Sequence, residues 1–112
     1  MAPLQSHISA MTITMALTGD VQANRFVTVA GAQAGAGDAA VGISRNDEVA
    51  GRAVAIDVIA VVDMVAGAAI ALGARVQSNA DGLPITKGAG VDNGLALTAA
   101  ANAGDIVKIL IK

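Results

Sequence analysis

Residues Arg52–Val65, with the sequence RAVAIDVIAVVDMV, carry the β signal that decides the fold of this 112-residue chain. Half of these residues are Val or Ile, whose branched side chains pack well on a pleated sheet. The length of the segment predicts either two strands or one bent strand. Asp57 and Asp63 are expected at solvent-facing positions.

Short strands separated by turn residues extend on both sides of this segment. Apolar and polar side chains alternate along Ile8–Leu17, which predicts a half-buried strand. Asn79–Gly82 predicts a hairpin turn, because Asp-Gly supplies the positive φ angles that tight turns need. Ala66–Ala74 favours a turn, with a helical turn as the alternative. Further strands are predicted at 25–29, 40–43, 74–77, 94–98 and 105–111.

Four short segments recur in the same order about 52 to 55 positions later, which is typical of a duplicated β unit. In a chain rich in Ala and Gly, chance matches of this kind are also common. The recurring segments are V-Q-x-N at 21 and 76, G-A-G at 35 and 88, Val41–Ser44 with Asn93–Thr98, and Gly51–Ile56 with Gly104–Ile109. The half-repeats would be residues 19–65 and 73–111.

Composition excludes several functional classes. A formal charge of −2 and a single aromatic residue, Phe26, argue against a nucleic-acid partner. The longest charge-free run of the apolar region, Met64–Ala74, is too short to span a bilayer, so no membrane is expected. The chain has no cysteine and one histidine, His7, which finds no partner for metal binding or base catalysis.

No catalytic or cofactor-binding arrangement emerges from the remaining polar residues. Asp57 and Asp63 would lie about 20 Å apart on a straight strand, too far for paired acid–base chemistry. Gly35–Ala40 matches a dinucleotide-binding fingerprint only weakly, because no helix is predicted after it. The sequence therefore predicts no enzyme and no cofactor.

The chain opens with a Thr-rich strand and a Gly-Asp turn, and small-residue turns and strands follow in a set order. They are Ala39–Ile43, Val65–Val76, Asn79–Pro84, Gly94–Leu97 and Ala103–Ile109. This order resembles the capsid decoration (cement) proteins of tailed bacteriophages, over most of Gly19–Lys112. The chain departs from that pattern in lacking the aromatic residues that many members place around the Asp-Gly turn.

The resemblance implies a structural protein, often trimeric, on the outer surface of the virion, where it binds the major capsid protein and stabilises the shell. The fold expected is all-β: a small sandwich or barrel of short strands at 19–112, with an extended N-terminal arm at 1–18. An uncovered strand can add to a neighbour's sheet edge. Contact with the capsid is therefore expected from the arm, at His7, Ile8, Met11, Ile13, Met15 and Leu17.

A carrier domain of the lipoyl or biotinyl type is the alternative interpretation, since such domains are also small, duplicated and rich in Val and Gly. They present a lysine at a hairpin tip for the prosthetic group. Lys87 is the interior candidate near a turn, but Thr86 and Gly88 flank it instead of the usual Met or Asp.

Overall fold

The computed structural model describes residues 8–111, and within them the chain forms eight β-strands and no helix. His7, part of the predicted arm, lies outside the described residues. The strands are β1 (Ile8–Ala16), β2 (Phe26–Val27), β3 (Gly42–Ser44), β4 (Ala53–Val65), β5 (Arg75–Ser78), β6 (Pro84–Thr86), β7 (Gly94–Ala96) and β8 (Ile106–Ile111). No helix in this part of the chain could cross a membrane.

All eight strands belong to one antiparallel sheet that curls into a nearly closed barrel. Seven follow the order β2-β3-β4-β8-β7-β5-β6, and β1 pairs with β4 beside this path. The two ends of the path meet through the Phe26 amide, which donates to the Gly82 carbonyl at 2.9 Å. The Arg25 guanidinium adds a hydrogen bond to the Asp81 carbonyl at 2.7 Å. Such closure leaves fewer free strand edges.

β4 is the central strand. The sequence left open two strands or one bent strand here, and the structure has one continuous strand of 13 residues. β1 pairs along its first part, while β3 and β8 pair in succession along its opposite edge. The strand contributes to two apolar clusters, Val54 and Ile56 to the smaller one and Ala60, Val62 and Met64 to the main core.

The burial of Asp57 and Asp63 contradicts their predicted solvent-facing positions. Asp57 is fully buried and Asp63 is 7% exposed. Each carboxylate has a cationic partner, since Arg45 Nε lies 3.5 Å from Asp57 and Lys108 Nζ lies 3.2 Å from Asp63. Buried charges persist when they are paired and hydrogen-bonded, and these partners come from strands or turns distant in sequence.

The other predicted strands are confirmed with shifts of a few residues at their ends, but the predicted half-burial of the first strand is wrong, because eight of the nine β1 residues are exposed. The Asn79–Gly82 turn joins β5 to β6, and Gly82 has a φ of +76°. Ala66–Ala74 contains no helix and leads into β5. The small-sided loop before β3 contributes to the main core through Ala34.

The same pattern of backbone hydrogen bonds occurs in both halves of the barrel. Equivalent residues are 49 to 53 positions apart in the sequence, as Leu17 and Ala66 are at one limit and Arg52 and Asp105 at the other. The bond from the Leu17 amide to the Arg52 carbonyl recurs from Ala66 to Asp105, and the bond from Gly51 to Leu17 recurs from Gly104 to Ala66. The two reciprocal bonds between Val21 and Glu48 recur between Ile70 and Ala100, and the bond from Asn24 to Ser44 recurs from Gly73 to Ala96. The Gly51–Gly104 sequence match therefore coincides with equivalent positions. The V-Q-x-N match does not, because Val21 corresponds to Ile70 and not to Val76. Descent from a duplicated unit stays a prediction.

Candidate functional site: an exposed strand with an apolar ridge

β1 is the most exposed strand of the barrel. Eight of its nine residues are exposed, and Met15 alone is half-buried. Within residues 8–111, β1 pairs only with β4, so no described strand covers its outer edge. A strand edge of this kind presents backbone amide and carbonyl groups that can pair with another chain.

Three large apolar side chains on this strand are exposed, and the register places a fourth beside them on β4. Ile8 is 68% exposed, Met11 50% and Ile13 37%, and the adjoining Ile59 of β4 is 38% exposed. We call these four residues the apolar ridge. Clustered exposed apolar side chains mark contact surfaces more often than isolated ones do.

The ridge depends on an irregular register between β1 and β4. Pairing shifts on both sides of Met11: Ser9 lies opposite Ala60, Met11 opposite Ile59, and Thr12 opposite Asp57. An extra residue on β1 is thus followed by an extra residue on β4, the arrangement of two adjacent bulges. In a regular strand, residues three apart point to opposite faces. The bulges instead place Ile8 on the same face as Met11 and Ile13.

The opposite face of the same segment is polar and is attached to the buried Asp57 carboxylate. Ser9 Oγ donates to Asp57 Oδ1 at 2.9 Å, and Thr12 Oγ1 donates to the same oxygen at 2.8 Å. The two hydroxyls also lie 2.8 Å from each other. Arg45 approaches the other carboxylate oxygen. We call Ser9, Thr12 and Asp57 the carboxylate clamp.

The structure divides the predicted contact residues by exposure. Along the apolar face the exposed fraction rises from 4% at Leu17, through the half-buried Met15, to Ile13, Met11 and Ile8. Leu17 belongs to the smaller apolar cluster and Met15 packs against it. Among the described members of the predicted set, Ile8, Met11 and Ile13 are therefore the large apolar residues left exposed. Ile59 joins them, and no sequence signal distinguished it from the other apolar residues of β4.

A second feature is a cavity of about 100 Å³ beside β7, lined by Phe26, Gly42, Leu95 and Leu110 among others. Pockets for small ligands begin at about 300 Å³, so this space suits at most a few waters. At its rim Arg75 donates to Asp92 at 2.7 Å. That hydrogen bond lowers the pKa of Asp92 and raises that of Arg75.

The structure also gives the positions of the residues that could serve metal binding or prosthetic-group attachment. No group of three or more side chains among residues 8–111 has the composition and spacing for a metal ion. Lys87, the alternative attachment point for a prosthetic group, follows β6, and its ammonium donates to the Gly88 carbonyl.

Comparison with known proteins gives two findings. A family model described as phage cement protein matches residues 4–111. The fold is similar to the crystal structure of the head fiber gp8.5 N base of bacteriophage phi29, with a TM-score of 0.72 and 19% sequence identity. That match covers 91% of this chain and 93% of the other. A comparison with curated proteins finds no match.

Proposed function

Because this chain belongs to the phage cement protein family, we propose that it binds the outer surface of the shell formed by the major capsid protein and stabilises that shell. Membership makes it a capsid-associated structural protein of the virion. The proposed activity is mechanical: neighbouring capsid subunits are held together by a protein that spans them, with no catalytic step.

The apolar ridge is the observation that carries the proposal. Binding of a partner that removes these exposed apolar side chains from water is favoured by about 25 cal/mol for each Å² of apolar surface buried. None of the four ridge residues belongs to the main core or to the smaller cluster. A contact surface on the partner accounts for its exposure.

The free edge of β1 supports the same proposal by a second route. A strand of the major capsid protein could pair with this edge, so that main-chain hydrogen bonds add affinity and the ridge adds specificity. Two modest contributions of this kind suffice on a shell, because many identical sites act together once copies are linked. We propose that the linked unit is a trimer placed where neighbouring capsid subunits meet.

Substitutions on the ridge test the proposal, with circular dichroism to check that each variant is folded. Met11→Gln with Ile13→Thr should weaken binding to empty shells about tenfold or more, because two apolar side chains no longer enter the contact. Binding is measured by cosedimentation with shells that lack the protein. Leu72→Gln is the matched control, since Leu72 is 70% exposed and is not part of the ridge.

Equal shell binding by the ridge variant and the wild type would contradict the proposal. If that variant also loses self-association in light scattering, the ridge joins copies of this chain instead.

A further inference from the structure

We propose that Asp57 is a positioning residue for the capsid-binding strand: through Ser9 and Thr12 it fixes the double bulge that brings the apolar ridge onto one face. This inference rests on the proposed function and goes beyond it. It assigns a role in binding to a buried carboxylate that cannot itself touch the capsid.

The first step of the argument is the geometry of the clamp. Ser9 and Thr12 are three positions apart, so in a regular strand only one of them could face Asp57. Both reach the same oxygen, at 2.9 and 2.8 Å. These two hydrogen bonds can therefore form together only when the bulges are present. The clamp selects the bulged register over the regular one.

The second step is the consequence for the apolar side chains. In the regular register, Ile8 would point to the face opposite Met11 and Ile13. The three residues would then be split between two surfaces, and neither surface would offer a continuous apolar contact. With the bulges in place, Ile8 extends the row formed by Met11 and Ile13, beside Ile59.

The third step is the reason that β1 needs these hydrogen bonds to stay paired with β4. β1 is exposed, so little burial holds it against β4 beyond Met15, which packs on the smaller cluster at the other end of the strand. Hydrogen bonds to a charged acceptor are stronger than those between neutral groups. Asp57 is fully buried and is also approached by Arg45, so the acceptor is held in place.

A double substitution on the exposed strand tests the role while leaving Asp57 intact. Ser9→Ala with Thr12→Val should raise the hydrogen-exchange rate of the β1 amides about tenfold and weaken shell binding about tenfold, as the regular register and detached states become populated. Thr14→Val is the matched control, because it makes the same change on the same strand at a residue outside the clamp. It should leave the β1 exchange rate and shell binding unchanged. The conservative pair Ser9→Thr with Thr12→Ser retains both hydroxyls and should give wild-type exchange and binding.

The two measurements separate this inference from the proposed function. Unchanged exchange in β1 of the Ser9→Ala/Thr12→Val variant would overturn the clamp. Faster exchange with undiminished shell binding would overturn its role in positioning. If the wild type itself does not bind shells, the proposed function fails and the positioning role fails with it. The exchange data would then show only whether the clamp secures β1 to β4.

Discussion

Gly37 and Gly90 meet backbone to backbone, and a Cβ atom on Gly90 would lie 2.5 Å from the Cα atom of Gly37. The two glycines end the G-A-G segments that recur in the sequence, so these segments are in contact as well as similar. The contact is reinforced by the Val91 amide, which donates to the Gly37 carbonyl at 3.0 Å. Only a residue without a side chain permits this approach at position 90.

Replacing Gly90 by alanine should therefore destabilise the barrel. The added methyl group also lies within 2.8 Å of the Gln77 side chain, so the loop must shift, at a cost of about 1–3 kcal/mol. Urea unfolding followed by circular dichroism measures the change. Gly88→Ala is the control in the same loop, because its Cβ would meet nothing nearer than 3.7 Å. Equal stability of the two variants would show that the loops can separate without cost.

Leu17 should matter for stability and Met11 should not, although the sequence places both on one strand face. Leu17 is buried among Val21, Val27 and Val54, so Leu17→Ala should cost about 2–5 kcal/mol. Met11 is half exposed, and Met11→Ala should change the free energy of unfolding by less than about 0.5 kcal/mol. Chemical denaturation of both variants checks this. A large loss of stability for Met11→Ala would place Met11 in the core instead of the ridge.

The ion pair between Arg75 and Asp92 should give a small pH dependence of stability. The hydrogen bond from Arg75 keeps the pKa of Asp92 below its usual value. The contribution of this hydrogen bond to the stability of the fold is therefore present above the unfolded-state pKa of about 3.9. It is lost as the pH falls through the lower pKa that Asp92 has in the folded state. Because Asp92 is one-third exposed, Asp92→Asn should cost less than about 1 kcal/mol at neutral pH.

Thermal unfolding at several pH values measures the difference between Asp92→Asn and the wild type. The difference should shrink on acidification below about pH 4. A difference that grows at acidic pH would mean that the carboxylate is destabilising when ionised, contrary to its contact with Arg75.

Much of the fold could be predicted because its signals are local. The alternation along Ile8–Leu17, the Asp-Gly turn at position 82 and the Val- and Ile-rich run of β4 each depend on neighbouring residues only. The pairing of β1 with β4 is different, since its register shifts around Met11 arise from contacts between residues more than forty positions apart. No local pattern marks such a bulge.

The same shift explains why the sequence misplaced Asp57 and missed Ile59. Strict alternation of buried and exposed residues along β4 predicted that Asp57 faces solvent. Because of the bulge, Asp57 instead lies on the buried side, where Ser9 and Thr12 donate to it. The sequence prediction also treated Leu17 as equivalent to Met11, because exposure along one strand face cannot be read from alternation. The exposure of Ile59 has the same origin, as its environment depends on β1.

An electron cryomicroscopy reconstruction of empty shells decorated with this protein tests the central claim most directly. The expected map shows the barrel on the outer surface, with the Ile8–Ile13 face of β1 buried against the major capsid protein. A map in which β1 remains in solvent while another face of the barrel touches the shell would contradict the claim, as would shells that carry none of the protein.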